Sequence, residues 1–233
     1  MNKESLRIAL ESFNLRFSEE QLSNLEHLVD TTLKTNETFN LTAIKDKDSF
    51  YEKMILDSAL GLININLENK KVIDVGTGAG FPGMVLYILG PKMDLTLLDS
   101  TTKKINYLSN YAKERDYHIS FSNERIEDFA LKNRESFDFA YARAVSSLNI
   151  LLELIAPILK VGGYFIAMKG PNVDEEIKES GNALKILSLD TIQDYKYILP
   201  ESKEERHILI IKKNKETSNK YPRQYGIIKK RPL

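Results

Sequence analysis

The 233-residue sequence predicts an α/β fold: a mostly parallel seven-stranded sheet with an N-terminal helical extension. Three observations predict it. From Lys71 onward, short apolar runs that read as strands alternate with amphipathic stretches that read as helices. Such alternation builds a parallel sheet with helices on both faces. The first run, Val72-Ile73-Asp74-Val75, feeds a glycine-rich turn, Gly76-Thr77-Gly78-Ala79-Gly80. The last two runs, about 190–198 and 206–212, are joined by the polar segment 200–205 and read as an antiparallel hairpin at one edge.

Within residues 3–16, Leu6, Leu10 and Phe13 recur at helical spacing, and Phe17 continues it. Ser18 and Gln21 have capping-box spacing. They open a second helix with Leu22, Leu25, Leu28, Val29, Thr32 and Leu33 on one face. Residues 36–40 are expected to end it, and 40–44 to be a loop. A third helix starts at Asp48 or Ser49 and carries Phe50, Met54, Ile55 and Leu60. Residues 1–62 are thus expected to form an extension packed on the core, and 63–233 the main domain with a basic tail. Strand 71–75 leads to a helix over about 82–89, which Gly90-Pro91 stops. Strand 95–98 precedes a helix at about 101–115. Strand 118–121 precedes a loop and turn over 123–129. Strand 137–141 precedes a helix over 147–159, and strand 164–168 a helix near 173–186.

The glycine turn is the chemical centre. A backbone without Cβ takes φ > 0 and lies flat against a ligand, as nucleotide and nucleoside sites of α/β folds require. Pro82 suits the first turn of the following helix. Glycine turns of this kind hold NAD, FAD and S-adenosylmethionine alike. Asp74, just before the turn, favours the last of these. A carboxylate there repels a pyrophosphate, whereas S-adenosylmethionine has no phosphate and carries a sulfonium and an ammonium. No Gly-Lys-Ser/Thr follows, which argues against a nucleoside triphosphate. Asp99, at the end of the second strand, is placed for ribose hydroxyls. Five parallel strands plus an antiparallel hairpin complete the layout of a Rossmann-like class I S-adenosylmethionine methyltransferase.

Ligands of open α/β sheets sit beyond the carboxyl ends of the strands. That rule gathers Asp74, Gly76, Gly78, Gly80, Phe81, Asp99, Ile126, Glu127, Arg143 and Lys169. Ile126 suits an adenine face. Glu127 is either a site residue or a solvated loop acid. Arg143 points either into the site or into a structural ion pair.

Composition bounds the rest. Apolar residues make up 42% and charged residues 28%, ordinary values for a globular protein. There is no cysteine, which excludes disulfides and thiolate metal sites and agrees with a reducing cytoplasm. No metal site is expected, no run approaches the ~20 apolar residues that span a bilayer, and residues 1–5 show no apolar signal core. The net charge is zero. From Lys212 onward, however, Lys212, Lys213, Lys215, Lys220, Arg223, Lys229, Lys230 and Arg231 face a single acid, Glu216. Such a tail is either a polyanion contact or a solubilising end.

Missing residues narrow the reaction. Methylation at C5 of a pyrimidine commonly needs a cysteine nucleophile. Methylation of exocyclic amines usually shows Pro-Pro-aromatic after the fourth strand, where this chain has Arg143-Ala144-Val145-Ser146. A target with a free lone pair, such as guanine N7, needs neither device.

The chain resembles the bacterial RsmG (GidB) methyltransferases of 16S ribosomal RNA. The residues that carry the resemblance are Asn40-Leu41-Thr42-Ala43-Ile44, Ile55-Leu56-Asp57-Ser58, the stretch from Asp74 to Gly83 and Leu98-Asp99-Ser100. Arg143-Ala144, Ser147-Leu148, Lys169-Gly170 and the tail from Tyr221-Pro222-Arg223 to Lys230-Arg231-Pro232-Leu233 extend it. The resemblance implies transfer of a methyl group from S-adenosylmethionine to N7 of guanine 527 in 16S rRNA. It implies donor contacts from Gly76 and Phe81, an adenosine end lined by Ile126 and Glu127, and Arg143 beside donor and target as the catalytic residue. It makes Lys169, Arg223, Lys229, Lys230 and Arg231 candidate RNA contacts. Met54 stands where the family often has histidine, and Ile228 where its tail usually has proline. The expected partner is 16S rRNA or a 30S particle, the expected state a monomer. A tail deletion over 217–233 is expected to weaken RNA binding and spare donor binding. The competing readings are a non-catalytic donor- or RNA-binding assembly module and an NAD-dependent oxidoreductase.

Overall fold

A computed structural model describes residues 1–233. Its sheet has seven strands in the order β3-β2-β1-β4-β5-β7-β6. The strands are β1 (Lys71–Val75), β2 (Asp94–Leu98), β3 (Ser120–Ser122), β4 (Phe137–Arg143), β5 (Leu159–Lys169), β6 (Leu189–Ile198) and β7 (Glu205–Lys213). The first five pair in parallel, and β7 runs antiparallel to both β5 and β6. Strand order reverses between β1 and β4. The crevice at such a switch point is where open α/β sheets bind ligands.

Helices α1 (Lys3–Ser12) and α2 (Glu19–Phe39) open the chain. The Ser18–Gln21 capping box forms as its spacing predicts. Helix α2 ends within 36–40 as expected, although Asn36 itself is still helical. That side chain is buried and accepts a hydrogen bond from the Thr42 backbone at 2.9 Å, so the helix runs to Asn40 in the left-handed conformation. A continuous helical run follows: α3 (Lys47–Phe50), a π-helical stretch (Tyr51–Leu56), α4 (Asp57–Ala59) and a 3₁₀ turn (Leu60–Leu62). π-Helical geometry concentrates at functional sites.

The remaining helices are α5 (Gly83–Leu89), α6 (Thr102–Glu114), α7 (Ile126–Lys132), α8 (Leu148–Ile155), α9 (Val173–Glu179), α10 (Gly181–Leu187) and α11 (Tyr225–Lys230). Alternate residues of β1 face opposite layers, as a strand's period of two dictates. Val72 joins Leu6, Leu10, Leu25 and Leu28 of the N-terminal helices in one core. Ile73 and Val75 join Leu151, Leu152 and Phe165 in the other. The helical extension therefore shares the core on one face of the sheet with α5 and α6, through Leu86 and Leu108.

Four local expectations change. Residues 126–132 form α7 rather than a loop, because Phe129 and Ala130 bury one face of a two-turn helix. Strand β5 begins at Leu159 rather than 164, with Gly162 and Gly163 inside it beside a register shift, and the helix expected over 147–159 ends at Ile155. The helix expected over 173–186 is broken at Ser180. The basic tail folds into α11, whose Ile228 is buried on Ile150 and Leu154.

Candidate active site

The glycine turn is pinned to the end of β2. The backbone N–H groups of Gly76 and Thr77 donate to the Leu98 carbonyl at 2.8 and 3.0 Å. Gly78 N–H donates to Asp99 Oδ2 at 2.9 Å, and Thr101 N–H to Asp99 Oδ1 at 2.8 Å. Each Asp99 oxygen keeps a lone pair for a further donor. Gly78 sits at φ +62°, where a Cβ would meet nothing nearer than 3.9 Å, so its face opens toward a ligand. A Cβ on Gly76 would instead strike Val145 at 2.6 Å.

Asp74 takes another place than the sequence suggested. Its side chain is fully buried and lines no cavity of the site. Oδ2 accepts from the Thr77 hydroxyl at 2.6 Å and from Gly83 N–H at 2.8 Å, which ties the turn to the start of α5. Oδ1 has no partner. Burial pushes this carboxyl up to about 6, while the two hydrogen bonds and the Arg143 charge pull the other way. Asp74 is thus a brace beneath the turn. Gly80 is likewise internal, set against Leu108 and Met84.

Two cavities flank the turn and share Gly76, Ala144 and Ser146. The smaller, about 240 Å³, is lined by Asp99, Ile126, Glu127 and Tyr225 among others. The larger, about 560 Å³, is lined by Gly78, Phe81, Arg143 and Lys169, with Thr42, Met54 and Lys104.

Arg143 resolves its two readings by doing both. It lines the larger cavity, and its Nη1 donates to Asp57 Oδ2 and the Lys53 carbonyl, both at 2.9 Å. Nη2 donates to Met54 Sδ at 3.3 Å. The Tyr197 hydroxyl donates to Asp57 Oδ1 at 2.7 Å. Glu204 bridges Lys53 and Arg206. The end of β4, the π-helical stretch and the edge hairpin are thereby joined through one buried carboxylate.

The five candidate RNA contacts divide. Lys169 is turned inward: Nζ donates to the Ser146 carbonyl at 2.8 Å and Glu176 Oε2 at 2.7 Å. Arg223 grips the fully buried Glu153 through Nε at 2.8 Å and Nη2 at 2.6 Å. Its Nε and Nη2 are engaged in that ion pair, and a quarter of the side chain stays exposed. Lys229, Lys230 and Arg231 are exposed.

Sequence reasoning missed Asp57, Lys104 and Tyr225. Asp57 lies 86 residues from the arginine it pairs, and nothing local announces such a pair. Lys104 reaches within 4.0 Å of the Gly78 Cβ position, from the helix face toward the turn. No group of three or more His, Asp or Glu side chains is placed to hold a metal.

Residues 21–215 match the family model described as rRNA small subunit methyltransferase G (GidB). The chain belongs to the GidB family. A Ribosomal RNA small subunit methyltransferase G of Streptococcus pneumoniae is 41% identical over 238 residues, with all of both chains covered. Its namesake in Alkaliphilus oremlandii is 39% identical, covering 99% of this chain and 98% of its own. Solved structures share the fold at lower identity. The 1,6-didemethyltoxoflavin-N1-methyltransferase of Burkholderia thailandensis, with S-adenosylhomocysteine bound, covers 81% of this chain and 90% of its own (TM-score 0.57, 14% identity). A SAM-dependent methyltransferase of Aquifex aeolicus covers 70% and 92% (TM-score 0.52, 20% identity). The GidB chain is thus a Rossmann-like methyltransferase that uses S-adenosylmethionine. No helix in it is long and apolar enough to cross a membrane.

Proposed function

We propose that the protein transfers a methyl group from S-adenosylmethionine to N7 of guanine 527 in 16S rRNA, acting as a cytoplasmic monomer on the RNA or a 30S particle. One observation carries the reading: the open face of Gly78 and the anchored guanidinium of Arg143 line the same cavity. The residues fit the donor. Asp99, with a lone pair left on each oxygen, suits the ribose hydroxyls; Ile126 and Glu127 suit the adenine; Gly76, Gly78 and Phe81 suit the amino-acid end. Lys104, beside Gly78, suits the donor carboxylate. The sulfonium, when bound, supplies an electrophilic methyl carbon.

The protein's own task is alignment. Guanine N7 has a lone pair and no proton to lose, so no general base is needed. Holding N7 in line with the methyl carbon and excluding water then provide the acceleration. Asp57 and the Lys53 carbonyl fix the Arg143 fork. Its Nε–H remains to donate to guanine O6, which orients the ring and leaves the N7 lone pair free. Arg143 therefore acts by contact with the target, and Asp57 by positioning Arg143.

The test is to incubate the protein with S-adenosylmethionine and 30S particles from a strain lacking the activity, then map N7-methylguanines in 16S RNA. A new mark at position 527 is expected. A mark elsewhere would discard the target and keep the chemistry. Donor binding without any mark would favour a non-catalytic module.

A further inference from the structure

The C-terminal segment is a strap with defined attachments. Lys213 Nζ donates to the carbonyls of Ala156 and Leu159 at 2.9 and 2.7 Å. Thr217 Oγ1 also donates to the Ala156 carbonyl, at 3.2 Å. Arg134 donates to the Tyr221 carbonyl at 2.8 Å. Arg223 then locks onto Glu153 of α8, and Ile228 of α11 is buried on Ile150 and Leu154 of the same helix. These attachments set Tyr225, half-buried beside Ile126, into the wall of the smaller cavity with Asp99 and Glu127. The same six-residue helix ends in the exposed Lys229 and Lys230, and the exposed Arg231 follows at its C-cap.

We propose that Tyr225 is a donor-binding residue, closing the adenosine half of the cavity with its ring, and that the strap couples donor binding to RNA binding. The proposal rests on the donor and RNA reading above. An aromatic face against a purine is a stabilising contact. Phosphates held by Lys229, Lys230 and Arg231 restrain the helix that carries Tyr225. Restraint by one ligand reduces the ordering left for the other, so each binds better in the presence of its counterpart, by the same factor. The tail deletion over 217–233 should then weaken donor binding too, contrary to the sequence expectation.

The test is calorimetric titration of S-adenosylhomocysteine into the full chain. Tyr225→Ala should raise Kd about tenfold, while Tyr225→Phe, which keeps the ring, should stay near the wild-type value. Saturating unmodified 16S RNA transcript should lower the wild-type Kd about fivefold. That tightening should vanish in the Lys229→Ala/Lys230→Ala/Arg231→Ala variant. Wild-type affinity in Tyr225→Ala would overturn the binding role while leaving the donor reading intact. Equal loss in the Phe and Ala variants would overturn the role of the ring. A wild-type Kd indifferent to RNA would overturn the coupling. Failure of the wild-type protein to bind S-adenosylhomocysteine at all would sink the donor reading and the proposal with it.

Discussion

The donor turn and the wall opposite it are built in contrary ways. The turn, from Asp74 to Gly83, is tied within itself and to the one neighbouring strand: Asp74 ties Thr77 to Gly83, Thr77 O accepts from Gly80 and Phe81, and β2 supplies Leu98 and Asp99. The wall bearing Arg143 has almost no local support. Its partners come from Lys53, Met54, Asp57, Tyr197 and Arg206, gathered from both ends of the chain. A motif of a few neighbouring residues shapes the proposed donor turn. The long-range wall is where this protein's target chemistry has to be decided.

Breaking the wall should affect turnover while sparing the donor. Arg143→Ala is expected to lower the rate of methyl transfer roughly a hundredfold, a typical loss for a preorganised charged donor. S-adenosylhomocysteine affinity should change far less. Single-turnover methylation of 30S particles beside calorimetry checks both; full activity in the variant would return Arg143 to a purely structural ion pair.

Breaking the turn should affect stability instead. A Cβ at position 83 would lie 2.3 Å from Leu97 Cδ2 and 2.8 Å from Asp74 Oδ2. Gly83→Ala should therefore destabilise the fold by about 2 kcal/mol, typical of overpacking. Denaturant titration measures it, with Gly170→Ala, whose added Cβ meets nothing within 4 Å, as the quiet comparison.

The buried Asp74 makes the turn sensitive to pH. Burial raises its native pKa from the ordinary 3.8 to about 6, so the native state holds the proton more tightly than the unfolded chain. The sign follows: this contribution to stability is complete below 3.8 and is lost as pH climbs through about 6. Over that window the loss is on the order of 3 kcal/mol. Asp74→Asn retains an acceptor for Thr77 and Gly83 and should abolish that part of the pH dependence. Equal slopes of stability against pH in the two proteins would remove the titration from Asp74.

The smallest effect sharpens the contrast at the tail. Alanine at Lys229, Lys230 and Arg231 together should flatten the slope of log K against log salt for 16S RNA by roughly 2, at ~0.7 per contact. Arg223→Ala should lower the melting temperature, because Glu153 is then buried without its partner.

The residues that were legible in the sequence belong to short-range patterns. The Ser18–Gln21 cap, strand β1, the glycine turn, Asp99 at the end of β2 and the closing hairpin all follow from spacing within a few residues. Where local cues were silent, a partner elsewhere in the chain decided. The helix does end within 36–40, at Asn40, but the burial of Asn36 against Thr42 could not be read from its neighbours. The family resemblance offered Arg223 as a phosphate contact, and nothing local announced that a buried glutamate on α8 also pairs with it.

From the sequence alone came the α/β class, the glycine turn after β1 and, through a family resemblance, an S-adenosylmethionine-dependent rRNA methyltransferase. These rest on backbone periodicity, glycine stereochemistry and residue type, which act over a few positions. Tertiary structure decided that Asp74 faces inward, that Asp57 holds Arg143, and that the tail returns to place Tyr225 in the wall of the smaller cavity. Each of these depends on which buried charge or apolar face finds a partner across tens of residues. That choice is made by packing, and no local pattern encodes it.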